Sequence, residues 1–265
     1  FVEYSDYADD FRADLGFIPQ VGYRAAAAGG GYLWWGEDED FYNNLEVGGF
    51  VGRIEDQDGG LLNQDTQAWF QIEGPLQSNL HFEFGERTIV HEGVRFDNLF
   101  VPIVWVRFRP SGSLGFRIFG AGGDWVDFDH VRPADRRRIS TRVDLDLGRH
   151  LEFQFDHLYS TLDVEGGRLF TAQVPQMAAV WQFTTRTFVR AILQYYQIER
   201  DQDLYEDAVD ELERDFFVQL LFSYKVNPRT VFFAGYSEGG YENQDFGMTS
   251  TGRSVFLKIG YSWFW

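Results

Sequence analysis

Apolar and polar residues alternate along much of this chain with a period of two residues, which is the period of a β-strand and not that of a helix. In one stretch, three apolar side chains alternate with three others: Leu80, Phe82 and Phe84 against His81, Glu83 and Gly85. Because a strand points successive side chains to opposite faces, the pattern predicts strands with one apolar face and one polar face.

The same alternation, interrupted by clusters of Gly, Asp, Asn and Pro, predicts fourteen strands. They lie near residues 1–7, 21–36, 41–55, 60–73, 78–88, 99–109, 114–123, 138–147, 150–164, 176–183, 187–199, 215–225, 230–240 and 252–265. Helical spacing occurs in residues 204–212, enough for one or two turns of helix inside a loop.

The connections between these strands alternate between long and short. The predicted long connections are residues 89–98, 124–137, 165–175, 200–214 and 241–251, and the predicted tight ones are 74–77, 110–113, 148–149, 184–186 and 226–229. Outer-membrane barrels have short periplasmic turns and longer extracellular loops, whereas a β-sandwich has no reason to alternate in this way. The sequence therefore predicts an all-β fold, a transmembrane antiparallel up-and-down β-barrel with long acidic extracellular loops, located in the bacterial outer membrane.

The last residues of the sequence, GRSVFLKIGYSWFW, form an alternating strand that ends on aromatic residues. Aromatic rings are stable at the edge of a bilayer. The stretch also resembles the C-terminal assembly signal of outer-membrane barrels, with Lys258, Gly260, Trp263 and Trp265 in the four matching places. This resemblance implies that the barrel-assembly machinery of the outer membrane is a partner.

Composition narrows the class of protein further. The chain has 27 Phe, 13 Tyr and 8 Trp, an aromatic content that suits strands and membrane-interface girdles. No apolar run approaches the roughly 20 residues of a membrane-spanning helix. The chain has no cysteine, so it has no disulfide or thiolate metal site. Its net charge of -18 makes nucleic acid a poor partner.

If the apolar faces meet lipid, charged residues of the strands point into the lumen. The lumen-lining candidates are Glu83, Arg107, Arg117, Glu152, Asp156, Arg190 and Lys258. One interpretation is that they form ion pairs that brace the wall. The other is a charged constriction that selects solutes.

Residues 201–213 carry seven carboxylates and no basic residue. They form either a solvated loop or a site for divalent cations that bridge the phosphates of lipopolysaccharide. No other cofactor is expected. The five histidines fall in no metal-binding repeat, and neither a nucleophile elbow nor a phosphate-binding glycine loop occurs. The sequence thus predicts that the chain is not an enzyme.

The segment FRADLGFIPQVGYR, residues 11–24, resembles a recurrent segment of an uncharacterised family of bacterial outer-membrane β-barrels. The matching residues are Gly16, Phe17, Ile18, Pro19, Tyr23 and Arg24, with Gln20 where the family more often has arginine. Residues 220–240 and the C-terminal stretch are similar to the end of the same family. Its members usually carry an N-terminal domain like a family-nine carbohydrate-binding module, so the resemblance implies a weak link to glycans and assigns no catalytic residue.

Three functions fit these observations. The first is a porin-like pore that transports small polar solutes or saccharides across the outer membrane. The second is a structural or anchoring barrel, with a lumen plugged by aromatic residues such as Trp69, Trp105 and Phe119, that binds other surface proteins or forms an oligomer. The third is a soluble, sugar-binding β-sandwich. In the first two, residues 1–265 form a single barrel domain, or the C-terminal part of a longer one, embedded in outer-membrane lipid and lipopolysaccharide.

Overall fold

The structure, a computed structural model, describes residues 1–12, 20–245 and 247–263. These residues form fifteen strands, whose bounds are β1 Val2–Tyr7, β2 Tyr23–Trp35, β3 Asn44–Asp56, β4 Leu61–Gly74, β5 Ser78–His91, β6 Val94–Phe100, β7 Ile103–Ser111, β8 Leu114–Asp127, β9 Arg132–Leu147, β10 Leu151–Val164, β11 Gly167–Thr184, β12 Thr187–Arg200, β13 Leu212–Asn227, β14 Thr230–Asn243 and β15 Thr249–Tyr261. A single 3-10 turn, Gln202–Leu204, occurs in the described chain, and the helical turns predicted over 204–212 are wrong, since residues 205–211 are irregular and β13 begins at Leu212. Within those described ranges, no helix has the length and apolar character needed to cross a membrane.

The strands form one antiparallel, up-and-down sheet. Fourteen of them follow one another in order, and β6 pairs with β5 alone. The predicted all-β, up-and-down architecture is thus confirmed, and β6 is an addition to the fourteen predicted strands. It arises because the stretch predicted as one strand, 99–109, is interrupted at Val101 and Pro102, and proline has no N–H to donate to a ladder.

Several connections are shorter than the sequence predicts, because the strands continue into stretches that the sequence assigned to loops. Residues 167–175, predicted as loop, belong to β11, where Gln173 pairs with Gln197. Likewise β9 begins at Arg132, and a turn at Glu92 and Gly93 divides the predicted loop 89–98 into two strands. Both turn residues have positive φ, 49° and 78°, as a two-residue type I′ turn requires.

By its internal contacts the chain divides into two compact units, each of which is described by itself. The first comprises residues 1–106 and 120–137, and the second comprises residues 107–119 and 138–265. A small core in the first unit consists of Phe96, Leu99 and Val126. Next to Val126, the carboxylate of Asp127 is only 3% exposed and accepts hydrogen bonds from His130 Nδ1 and Arg132 Nε, both at 2.8 Å.

The apolar faces of the strands are exposed, the reverse of the arrangement in a water-soluble sheet. In β5 of the first unit, Leu80, Phe82 and Phe84 are 36–42% exposed, whereas His81 and Glu83 between them are partly covered. In the second unit, the strand registers extend an apolar row across five strands: Trp181, Val189, Phe222, Ala234 and Leu257. We call the surface formed by such rows the apolar face and the opposite surface the polar face. An apolar face of this extent requires an apolar environment.

A charge placed on the apolar face tests its environment. Replacing Leu257, which is 72% exposed on β15, by arginine removes little packing. We therefore expect Leu257→Arg to lower the free energy of unfolding in lipid vesicles by about 2–4 kcal/mol, the cost of a basic residue facing lipid at mid-depth.

The matched control is Ser254→Arg on the polar face of the same strand. It should change the free energy of unfolding by about 0.5 kcal/mol or less, as surface substitutions do. Both values come from denaturant titrations of the protein folded into vesicles. Equal effects of the two substitutions would contradict the assignment of the faces.

Candidate functional site

In the first unit, the polar face carries acids and tryptophans close together. Glu83 lies opposite Trp69 in the ladder, and its Oε2 is 3.5 Å from Nε2 of His81. Trp69 donates from Nε1 to Oε1 of Glu46 at 3.2 Å. The indole covers Gly48, where a Cβ atom would lie 2.2 Å from the ring, so glycine is required beneath it.

Trp105, on β7 of the first unit, belongs to the same cluster. Its ring contacts that of His81 edge to face, with centroids 4.9 Å apart, and His81 Nδ1 is 3.1 Å from Oε1 of Gln71. In the second unit, the guanidinium of Arg138 lies 5.9 Å from the ring centre of Phe119. The three aromatic residues proposed as a plug are therefore each in contact with a polar or charged partner.

In the second unit, the polar face carries a series of arginine–aspartate pairs. Arg117 Nη2 is 2.9 Å from Asp144 Oδ2, and Arg142 pairs with Asp156. Arg109 Nη2 lies 3.9 Å from Asp146 Oδ2. Arg117 and Asp156, both predicted from the sequence, thus have the ion-pair partners that a bracing role requires.

Three other predicted residues of the second unit lie on the polar face without an ion pair among the described residues. Glu152 is exposed and lines a cavity of about 580 Å³ beside the tight turns at residues 112–113 and 148–150. Arg190 donates from Nη2 to Oε1 of Gln219 at 3.2 Å. Lys258 is exposed and lies opposite Phe233. The remaining candidate, Arg107, is exposed on β7, two residues from Trp105 and Arg109.

The acidic stretch 201–213 is held by hydrogen bonds to the strands beside it. Asp210 Oδ2 accepts from Tyr241 at 3.2 Å and from Asn243 at 3.1 Å, and Arg200 pairs with Glu213 at 2.9 Å. In the described ranges, no three His, Cys, Asp or Glu side chains are grouped so that they could hold a metal ion. Binding of divalent cations by these loops stays a prediction.

The predicted assembly signal is only partly described. Lys258 and Gly260 belong to β15, and Trp263 is exposed with its ring 5.0 Å from that of Tyr261. Trp265 lies outside the described residues, as do Gly16, Phe17, Ile18 and Pro19 of the segment that resembles the barrel family. A role of these residues in assembly stays a prediction.

Sequence reasoning identified single charges and missed their partners. Arg142, Asp144 and Asp146 share one face of β9, which alternation alone could have indicated. Their pairing with Asp156, Arg117 and Arg109 depends on which strands are neighbours and in which register. The isolation of Arg190 from carboxylates depends on the same information.

Solved structures align with most of this chain at low sequence identity. No protein-family model matches it, and neither does any curated protein sequence. The outer-membrane channel DcaP of Acinetobacter baumannii aligns with 11% identity and a TM-score of 0.49, covering 91% of this chain and 84% of DcaP. An anion-selective porin from Comamonas acidovorans aligns with 10% identity and a TM-score of 0.43, over 90% and 88% of the two chains. OmpT, an outer-membrane protein of Vibrio cholerae, aligns with 13% identity and a TM-score of 0.39, over 91% and 90%.

The strength of the Arg117–Asp144 pair reports whether water reaches the polar face. The two side chains are 50% and 37% exposed. We expect a double-mutant cycle with Arg117→Gln and Asp144→Asn to give a coupling of about 0.2–1 kcal/mol, as for solvated pairs. The coupling should also weaken as salt is added.

The measurement is denaturant unfolding of the four proteins in vesicles, at low and high salt. A coupling of several kcal/mol that is insensitive to salt would indicate a dehydrated pair. That result would contradict a water-filled path beside these strands.

Proposed function

We propose that this chain is an outer-membrane β-barrel whose polar face lines a water-filled path for small polar solutes. The observation that carries the proposal is the presence of unpaired charges on the polar face of β10, β12 and β15, each within four residues of a strand end. Glu152, Arg190 and Lys258 lie on the polar face without an ion pair in the described part of the chain. An isolated charge in a dry interior costs several kcal/mol, so these side chains favour contact with water.

The opposite surface supports a location in lipid. Its apolar rows are exposed, and Val255, Leu257 and Ile259 on β15 are more than 70% exposed, at 77%, 72% and 71%. Lipid acyl chains can cover such a surface while the hydrogen-bonded strands satisfy their own backbones. Outer-membrane lipid and lipopolysaccharide are therefore the partners proposed for the apolar face.

A structural or anchoring barrel is the second candidate, and a specific observation favours it. In the first unit, Trp69 lies over Gly48 and Trp105 contacts His81, so large rings cover part of the polar face there. A lumen filled in this way would not conduct, and the protein would then act by binding other surface proteins or by forming an oligomer. Saccharides as the solute, and membership of the family that usually carries a family-nine carbohydrate-binding-like domain, stay predictions.

Conductance separates the two candidates. The purified protein, added to a planar lipid bilayer, should produce stepwise increases in current in potassium chloride. The reason is that hydrated charges on the polar face favour a continuous aqueous path. Heat-modifiable migration on gels serves as the control that the protein is folded. A folded protein that inserts into the bilayer and gives no current would contradict the pore and favour the anchoring barrel.

Thiol accessibility tests which face meets water, and the absence of native cysteines makes the experiment simple. Single cysteines would be placed along β13 at two polar-face positions, Gln219 and Leu221, and two apolar-face positions, Leu220 and Phe222. A charged, membrane-impermeant thiol reagent should modify the polar-face cysteines, because their thiols are in water. The attached group then narrows the aqueous path and should lower the current through the channel.

The apolar-face cysteines act as the matched controls. They should react slowly with the charged reagent and rapidly with a lipid-soluble maleimide. Equal reactivity at all four positions would contradict an aqueous path along one face only.

A further inference from the structure

Arg190 is a cation on the polar face for which the described residues provide no counter-ion. A guanidinium has five N–H donors. The structure gives it one hydrogen bond within the described chain, from Nη2 to Oε1 of Gln219 at 3.2 Å. Its Nε is shielded from solvent and has no partner among the described residues. The guanidinium is therefore held in place by one amide and retains unused donors.

Backbone pairing identifies the side chains that surround Arg190 on its face. Arg190 lies opposite Val180 of β11 and Leu221 of β13. The adjacent positions of the same face hold Ala178, Gln182, Phe188, Ile192, Gln219 and Ser223. No carboxylate occurs among these eight described positions. In the same row, Glu152 lies opposite Val180, so a whole strand separates it from Arg190, about 10 Å between the two backbones.

Other arginines of the polar face have carboxylates as counter-ions. Arg117 and Arg142 each have an aspartate within 4 Å on the neighbouring strand, and Arg109 on β7 lies 3.9 Å from Asp146 on β9, two strands away. These arginines thus pair with a carboxylate and can stabilise the wall, whereas Arg190 donates to the side-chain amide of Gln219. Val180 and Leu221 on either side provide few groups that compete for its free donors.

Resting on the proposed pore function, we propose that Arg190 and Gln219 form a binding site for the carboxylate or phosphate group of an anionic solute in the aqueous path. Guanidinium donors form short, strong hydrogen bonds with both kinds of anion, often two at a time. Gln219 accepts from Arg190 through Oε1, and its amide nitrogen stays available as a further donor. Rings of Arg or Lys serve this purpose in anion and phosphate pores.

Ion selectivity tests the site, with the full chain in planar bilayers across a potassium chloride gradient. Arg190→Gln should lower the permeability of chloride relative to potassium about fivefold, the effect of one unit charge at contact distance in water. Glu152→Gln, which removes the opposite charge from the same row, should change the ratio in the opposite direction. Arg253→Gln removes a positive charge from the apolar face, where Arg253 pairs with Glu238, and should leave the ratio unchanged. An unchanged ratio in Arg190→Gln overturns the site while the pore stands.

The wild-type protein provides a second test that depends on no variant. Inorganic phosphate or acetate, added at constant ionic strength, should reduce the chloride current with a saturable dependence on concentration. The anion that saturates at the lower concentration distinguishes a phosphate from a carboxylate site. The effect should be lost in Arg190→Gln and weakened in Gln219→Leu, which keeps the charge and removes the amide.

Arg190→Lys keeps the charge without the planar donors, so chloride preference should remain while phosphate or acetate acts more weakly. Heat-modifiable gel migration confirms the folding of each variant. A current that neither anion reduces, in a wild-type channel that conducts, overturns the binding site alone. A wild-type protein that inserts and carries no current overturns the pore and the site together.

Discussion

A strand that crosses a bilayer must satisfy its backbone by pairing and must keep its charges away from lipid, and these two constraints determine the rest of the structure. The ladder between β12 and β13 runs from Thr187 opposite Tyr224 to Glu199 opposite Leu212 without a break in register. An uninterrupted ladder fixes which side chains share a face. A one-residue shift would move Leu220 to the polar face and Gln219 to the apolar face.

Once the faces are fixed, the charges of the polar face fall into two groups. Arg117 and Arg142 face aspartates on neighbouring strands and can stabilise the wall. Arg190 and Glu152 lie in one row with an apolar residue between them and no ion pair within the described residues. The paired charges of the first group are compatible with either a dry or a water-filled interior. The second group requires water, and for this reason the unpaired charges carry more functional information than the paired ones.

The alternation of the sequence predicts the faces correctly because each strand encodes its own environment, as Leu80, Phe82 and Phe84 against His81 and Glu83 illustrate. It does not predict the break at Val101 and Pro102 that separates β6 from β7, nor the extension of β11 back to Gly167. Alternation does not predict side-chain partners either. Arg117 and Asp144 are 27 residues apart in the sequence, and only the register of the paired strands brings them together. The candidate residues could therefore be named from the sequence, whereas their pairing or isolation could not.

The central claim is that one face of the sheet meets lipid and the other meets water. Tryptophan fluorescence in vesicles whose acyl chains carry bromine tests it most directly, with variants that retain one tryptophan each. Trp181 is half exposed on the apolar face of the second unit, and Trp69 lies on the polar face of the first. The account predicts strong quenching of Trp181 by the brominated lipid and little quenching of Trp69. Equal quenching of the two, or stronger quenching of Trp69, would contradict it.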